Sequence, residues 1–249
     1  MCTVLLRFQP GAAWPLLLAA VRDEFVDRAW DPPGEHWEAT APGLVGGRDR
    51  TAGGTWLAVR ADPPAVAALL NGVRLPAPAI GVRPSRGGLP LAVLSRPVSM
   101  DAADLAGYDG FHLLLGTPER VVVWSWDGVS VLRHDLAPGD HIVVNAGVDT
   151  ADDPLVPHFS PLLRAAPDAD PRPGLPTGQA WRGWTDLLRG DGLSGDDPRA
   201  LIVRREFEGR IYGSTSASLV AVGPDGVRFD FAATPDRPSW SEVALPPAR

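Results

Sequence analysis

Gly46-Gly47-Arg48-Asp49-Arg50-Thr51-Ala52-Gly53-Gly54-Thr55-Trp56-Leu57 is the most distinctive stretch of this 249-residue chain. Four glycines surround the Arg48-Asp49 pair, and glycine permits left-handed backbone angles that other residues avoid. Because residues 31–54 are rich in proline, glycine and charge, we interpret them mainly as loop, followed by a strand over Thr55–Arg60. The pair belongs either to a structural loop or to the edge of a pocket.

Short runs of β-branched and apolar residues elsewhere predict further strands. Cys2–Phe8 is the first, and the apolar run Pro15–Asp23 is a second strand or a short helix. Turn residues at 9–11 favour a hairpin, which brings Arg22 and Asp23 beside the chain start. Other strands are predicted at Ala65–Leu70, Phe111–Gly116, Val121–Trp126, Val129–His134, His141–Asn145, Ile211–Val222 and Val227–Ala232, with helical segments at Ser160–Ala165 and Trp181–Arg189. We find no internal repeat and no clean linker, so residues 1–249 are interpreted as one domain of mixed helices and strands.

The composition excludes several classes of function. A formal charge of −7 argues against a general affinity for nucleic acid, because phosphate binding needs a concentrated basic surface. No stretch approaches the roughly 18 apolar residues of a membrane span, and the N-terminus lacks a secretory pattern, so we expect a cytoplasmic protein. All 23 basic residues are arginine, which excludes a lysine nucleophile. Abundant alanine, glycine and proline indicate a GC-rich, bacterial genome.

Cys2 is the only cysteine, so we expect neither a disulfide within the chain nor a cysteine-rich metal site. The histidines lack metal-binding spacing as well, and no metal is predicted. Removal of Met1 gives Cys2 a free α-amine, whose ordinary pKa is near 7.7–8.0, beside a thiol whose ordinary pKa is near 8.5. The amine can then accept the thiol proton, which makes a self-contained nucleophile and base. Alternatively, Cys2 is a small core residue.

Several blocks identify a resemblance to the NRDE family, the transport-and-Golgi-organisation group. It is strongest at residues 46–57, which resemble the family's GGRD…GGTWL signature. Individually weaker blocks follow the family's order over nearly the whole chain: Met1-Cys2-Thr3-Val4, residues 19–25 with Asp27-Arg28 following, Ser85-Arg86-Gly87, Tyr108-Asp109-Gly110-Phe111, Pro138-Gly139 with Asn145, and Tyr212-Gly213-Ser214.

The resemblance implies an α+β fold, a four-layer α-β-β-α sandwich of the Ntn-hydrolase type. It also implies that Cys2 cleaves a linear C–N amide bond through an acyl-thioester. By position, Arg22 and Asp23 are implied to lie beside the nucleophile, and Asn71 and Asn145 to hold the oxyanion. Each preorganised oxyanion donor is typically worth about 2.7–4 kcal/mol. A solvated strand end remains the alternative for the charged pair, and a simple turn remains the alternative for each asparagine.

The chain departs from the family pattern at Val21, His112 and Thr215, where the family carries Asn, Asn and Arg. These departures favour a second hypothesis, in which the same fold carries a hydrophobic ligand. Because relatives have been connected with haem trafficking, haem is the first candidate, with His112 as its ligand. The retained Cys2 favours the enzyme, and the sequence leaves both hypotheses open.

Two residues are predicted to contact a small amide substrate or a hydrophobic ligand, namely His112 and Trp56. His112 is chosen because it replaces an amide within a family motif. Trp56 is one of five tryptophans that either line an apolar cavity or pack in the core. These five are Trp30, Trp37, Trp56, Trp181 and Trp184.

Overall fold

A computed structural model describes residues 2–76 and 83–247. In this part the strands are β1 (Thr3–Phe8), β2 (Leu16–Phe25), β3 (Trp30–Gly34), β4 (Leu44–Asp49), β5 (Leu57–Arg60), β6 (Ala65–Asn71), β7 (Phe111–Gly116), β8 (Val121–Trp126), β9 (Val131–Asp135), β10 (Gly139–Val144), β11 (Gly147–Val148), β12 (Arg204–Phe207), β13 (Arg210–Gly223), β14 (Gly226–Ala232) and β15 (Ser241–Glu242). The helices are α1 (Leu89–Ser95), α2 (Ala102–Leu105), α3 (Leu155–Ala165), α4 (Thr177–Trp181) and α5 (Gly183–Leu187). The predicted α+β class is confirmed.

The strands form two antiparallel sheets. The first sheet has the order β11-β10-β1-β2-β13-β14-β15, and β12 also pairs with β13. The second sheet runs from β3 to β9 in chain order. The predicted hairpin of β1 and β2 is confirmed, since Thr3 pairs with Val21 and Phe8 with Leu16. The run at residues 15–23, which fitted either a strand or a helix, is therefore a strand from Leu16 onward.

The main core lies between the two sheets. Successive side chains of a strand point to opposite faces. Val4, Leu6 and Phe8 of β1 accordingly belong to the same buried cluster as Val59 and Val66 of the second sheet. The helices cover the outer faces. α3, α4 and α5 pack against the first sheet, and α1 and α2 pack against the second. No helix in the described ranges is long and apolar enough to cross a membrane.

The interpretation of residues 31–54 as mainly loop holds for residues 35–43 and 50–54 but missed two strands, since residues 31–34 belong to β3 and residues 44–49 form β4. Pro32 and Pro33 lie in β3, which ends the order of the second sheet, and proline is tolerated on such edge strands. The glycines of β4 are explained by close packing. A Cβ atom on Gly47 would lie 2.3 Å from the Trp56 ring.

The helical predictions are correct in kind but not in extent. The single turn expected at Ser160–Ala165 is the end of α3, which begins at Leu155. The helix expected over Trp181–Arg189 is divided into α4 and α5 at Arg182, whose φ of 44° interrupts the helical backbone.

Candidate functional site

The register of three neighbouring strands determines where Cys2 lies. β1 lies between β10 and β2, with Thr3 opposite Val21 and Val4 opposite Val143. Continuing both antiparallel registers beyond the end of β1 places Cys2 between Arg22 and Asn145. The half-buried Cys2 packs against the core between the sheets. The only thiol of the chain therefore lies at one end of this core.

A cavity of about 210 Å³ opens at Cys2. It brings together five of the residues predicted for the site, which are Cys2, Arg22, Asp23, Trp56 and Asn71. A larger groove of about 950 Å³, which includes residues of β10 and α3, contains none of the predicted site residues. The small cavity is therefore the candidate site.

Asn145 contacts Cys2 from the β10 side. The backbone nitrogen of Cys2 donates to Oδ1 of Asn145 at 3.1 Å. Since a nitrogen donor requires an oxygen acceptor, this contact fixes the amide orientation and directs Nδ2 of Asn145 elsewhere. Asn145 therefore holds the residue that carries the thiol. Its predicted role in holding an oxyanion stays a prediction.

His112 lies behind Asn145 and is buried. Its Nε2 lies 3.0 Å from the backbone oxygen of Asn145, and its Nδ1 lies 2.8 Å from Oγ of Ser125. Because a carbonyl oxygen only accepts, Nε2 carries the proton and donates. Burial lowers the pKa of His112, which favours the neutral ring with Nδ1 as acceptor. As placed, His112 positions Asn145, and its predicted contact with a ligand stays a prediction.

Arg22 is 5% exposed and has contacts on three sides. Its Nη1 donates to Oγ1 of Thr215 at 2.8 Å, and its Nη2 lies 3.7 Å from Oδ2 of Asp49. The guanidinium carbon lies 4.4 Å from the centre of the Trp56 ring, a cation–π contact. Burial lowers the pKa of Arg22, but an arginine side chain stays charged in proteins. Arg22 thus provides a fixed positive charge beside Cys2.

Asp23 is 4% exposed, and its burial raises the pKa of the carboxyl group to about 7. Its Oδ1 accepts a hydrogen bond from Oγ of Ser214 at 2.6 Å, and its backbone oxygen accepts one from the Tyr212 hydroxyl at 3.0 Å. The pairing of β13 with β2 shifts register between Ser214 and Ser216. Such a bulge adds a residue to one strand, and here Ser214 contacts Asp23 while Thr215 contacts Arg22.

The thiol itself is in an environment that opposes ionisation. Burial raises the pKa of Cys2, and the charge of Asp23 raises it further. A backbone hydrogen bond from Asp23 and the charge of Arg22 lower it. Because burial is the largest influence, the neutral thiol is favoured, and its ionisation would need a base close to the sulfur.

The two halves of the Arg48-Asp49 pair have different roles. Asp49 lines the cavity and accepts backbone hydrogen bonds from Thr51 and Ala52, each 2.9 Å long. Arg48 points to Asp31, with Nη2 2.6 Å from Oδ2. Arg48 therefore has a structural contact away from the cavity, whereas Asp49 lies at the edge of the pocket.

Comparison with known proteins gives the family. The model of the Transport and Golgi organisation 2 (TANGO2) family matches residues 1–157, which is more than half of the chain. The chain belongs to the TANGO2 family. No curated protein matches the chain. The matched part of the TANGO2 chain includes Cys2, Arg22, Asp23, Asn71 and Asn145, whereas Ser214 and Thr215 lie beyond it.

Sequence reasoning did not assign four residues of this TANGO2 site, which are Ser214, Thr215, Arg28 and Arg86. Three of them lie in the weaker family blocks, since Ser214 follows Tyr212-Gly213, Arg86 lies within Ser85-Arg86-Gly87, and Arg28 belongs to Asp27-Arg28. Thr215 drew attention only as a departure from the family pattern. The weaker family blocks were therefore the sequence feature that could have identified these residues.

Several singled-out residues lie away from the cavity. Trp181 and Trp184 are fully buried in the core on the helix side of the first sheet, and Val21 packs in the same cluster. Trp37 belongs to the core cluster between α1 and the second sheet, and Trp30 packs against the main core between the sheets. Of the five tryptophans, only Trp56 lines this cavity. The described ranges contain no group of three or more His, Cys, Asp or Glu residues that could hold a metal ion.

Proposed function

We propose that this TANGO2-family chain is a hydrolase that cleaves a linear amide with Cys2 as its nucleophile. We also propose that its two sheets and outer helices form the four-layer α-β-β-α sandwich of the Ntn type. The observation that carries the proposal is the position of Cys2 between Arg22 and Asn145, with the hydrogen bond to Asn145 fixing its backbone. Met1 lies outside the described residues, and the proposed active form begins at Cys2.

The reaction uses the α-amine of Cys2 as its base. The amine takes the thiol proton, and Sγ attacks the carbonyl carbon of the amide to form a tetrahedral oxyanion. Collapse of this intermediate breaks the C–N bond, and the ammonium group returns the proton to the leaving amine. A water molecule, deprotonated by the same amine, then hydrolyses the thioester and releases the carboxylic acid and the free thiol. No oxidant, reductant or metal is consumed.

The surrounding residues supply electrostatic support. Asn71 lines the cavity, and Nδ2 of Asn145 is left as a donor once Oδ1 accepts from Cys2. These two amides are the proposed oxyanion donors, because an uncharged N–H group stabilises the developing charge without a counter-ion. Arg22 stabilises the thiolate, and Trp56 contacts the substrate beside it. Asp23 positions the α-amine.

The alternative, carriage of haem or another hydrophobic ligand, has less support from the site. The cavity of about 210 Å³ is smaller than the roughly 300–1,000 Å³ of most pockets for drug-sized ligands. Charged side chains from Arg22, Asp23 and Asp49 line it. Both ring nitrogens of His112 already have partners, so haem ligation would break one of these hydrogen bonds.

Trapping the acyl-enzyme tests the proposal. Protein lacking Met1 is incubated with a panel of small linear amides, quenched in acid, digested and analysed by mass spectrometry. We expect an acyl group on the Cys2 peptide, together with release of the amine. Cys2→Ala should give neither, and Cys2→Ser should accumulate the acyl form if the oxygen ester is hydrolysed more slowly. Absence of both adduct and amine with correctly processed protein rejects the hydrolase.

A further inference from the structure

We infer that Arg86 binds an anionic group of the substrate, so that the proposed amide substrate is a small molecule carrying a carboxylate. This inference rests on the proposed function for the scissile amide, but binding of the anion needs no thiol chemistry. The residue belongs to the Ser85-Arg86-Gly87 block, which the proposed reaction does not use.

Three arginines line the cavity, and their partners distinguish them. Nε of Arg28 lies 2.5 Å from Oδ2 of Asp49 and 3.8 Å from a carboxylate oxygen of Glu24. Arg22 faces Asp49 and Trp56, as described above. The positive charges of Arg22 and Arg28 are therefore balanced by carboxylates that line the cavity.

Arg86 differs because, within residues 2–76 and 83–247, no carboxylate lies within ion-pair distance of it. The charge of Asp109 also acts on Arg86, but that carboxylate is paired with Arg83. Nη1 of Arg86 donates to the backbone oxygen of Gly110 at 2.6 Å. This contact uses one of five N–H donors, and the guanidinium geometry suits two-point binding of a carboxylate. Arg86 is half-buried and lines the same cavity as Cys2. An anion held by Arg86 thus lies close to the nucleophile.

The backbone around Arg86 is fixed before any ligand arrives. The N–H group of Thr55 donates to the oxygen of Gly87 at 2.8 Å. A Cβ atom on Gly54 would lie 2.3 Å from the carbonyl carbon of Gly87, so this close approach of two backbones requires glycine. A preorganised charge loses little entropy on binding. The segment is therefore suited to present Arg86 to a ligand.

The size of the cavity limits the ligand. A volume of about 210 Å³ holds a small amide and not a long acyl chain. The simplest probe that combines a linear amide with a carboxylate is N-acetylglycine. Its uncharged counterpart, N-acetylglycinamide, has nearly the same shape and lacks the charge.

Binding of these two probes to the Cys2→Ala protein, followed by NMR titration, tests the inference without turnover. We expect N-acetylglycine to bind at least about tenfold more tightly than N-acetylglycinamide. Arg86→Gln in the same background should abolish this preference, and Arg86→Lys should keep part of it. Arg48→Gln is the matched control. Arg48 pairs with Asp31 and does not line the cavity, so this variant should keep the preference.

Alkylation of wild-type Cys2 gives a second measurement. The ratio of the rates with iodoacetate and iodoacetamide should exceed that of a peptide with an N-terminal cysteine, and it should fall about tenfold in Arg86→Gln. Equal affinities for the two probes, no binding of either, or a preference that survives Arg86→Gln overturns the inference. A failed acyl trap with an intact probe preference instead rejects the hydrolase and leaves the anion site standing.

Discussion

The backbone nitrogen of Cys2 donates to Oδ1 of Asn145 at 3.1 Å, across 143 residues of sequence. Because this bond fixes the residue that carries the thiol, Asn145→Ala should slow alkylation of Cys2. A typical hydrogen bond contributes about 1 kcal/mol, which corresponds to roughly a five- to tenfold change in rate. Stopped-flow labelling with a neutral thiol reagent measures the effect. Asn71→Ala is the control, since Asn71 lines the cavity without a hydrogen bond to Cys2, and it should leave labelling unchanged. An unaltered rate in Asn145→Ala contradicts the positioning role.

Processing of the N-terminus decides whether the proposed base exists. We expect intact-mass spectrometry to show that Met1 is absent, because aminopeptidases remove methionine before small residues such as Cys2. Protein lacking Met1 should label at neutral pH faster than protein that retains it, since the α-amine assists thiol ionisation. Co-expression with a methionine aminopeptidase controls for saturated processing. Full activity in protein that keeps Met1 excludes the free-amine mechanism.

The buried carboxyl group of Asp23 makes stability depend on pH. Its pKa rises from 3.8 to about 7 on folding, so between these values the folded state binds a proton that the unfolded state has lost. The free energy of unfolding should therefore fall as the pH rises from about 4 to 7, by up to about 4 kcal/mol from this group. Urea unfolding at pH 4.5 and 7.5 measures it. Asp23→Asn keeps an acceptor for Ser214 and should lose this part of the pH dependence. Identical pH dependence in the two proteins is the contrary result.

Close packing of Gly54 against Gly87 predicts a sharp difference between two alanine substitutions. Gly54→Ala places a Cβ atom 2.3 Å from the Gly87 carbonyl carbon and should lower the free energy of unfolding by about 1–3 kcal/mol. Gly88→Ala is the matched control, because Gly88 has a φ of −79° and open space around its Cβ position. It should be neutral or slightly stabilising. Chemical denaturation of both variants settles the comparison, and equal losses would contradict the packing argument.

Haem titration separates the two functional hypotheses. Since both ring nitrogens of His112 have hydrogen-bond partners, we expect haem to give the same Soret spectrum with wild-type protein and with His112→Asn. The control is a set of single variants of the other four histidines and Cys2→Ala, which detects ligation elsewhere. A Soret shift that is saturable in wild type and absent in His112→Asn would favour the carrier.

The strands that position Cys2 were predictable because short apolar runs bounded by turn residues are typical of strands, although the run at residues 15–23 also fitted a helix. Cys2–Phe8, Pro15–Asp23 and His141–Asn145 each correspond to a strand, and the hairpin brings Arg22 to the chain start. β3 and β4 were missed because proline and glycine usually indicate loops. The prolines are tolerated because β3 is an edge strand, and the glycine at position 47 is needed because the Trp56 ring packs against it. Both reasons depend on tertiary packing.

The finer parts of the site could not be predicted from local patterns. The bulge near Thr215 aligns two hydroxyl groups with Asp23 and Arg22, and a shift of one residue in pairing leaves no mark in periodicity. The family pattern indicated a missing arginine at Thr215, yet its hydroxyl accepts from Arg22. Similarly, Val21, which stands where the family carries asparagine, faces the helix side of the first sheet. The loss of that amide therefore removes nothing from the cavity.

Arg22 belongs to the first sheet. The two residues that Arg22 contacts come from the second sheet, since Asp49 ends β4 and Trp56 directly precedes β5. The hydrogen bond between His112 and Asn145 also joins the two sheets. The direct neighbours of Cys2, which are Arg22 and Asn145, lie on the first sheet, but their own partners Asp49, Trp56 and His112 lie on or beside the second sheet. During refolding, a chain with both sheets formed but not yet joined would expose an ordinary thiol. Pulsed alkylation of Cys2 after rapid dilution from denaturant would therefore act as a clock for the joining of the sheets.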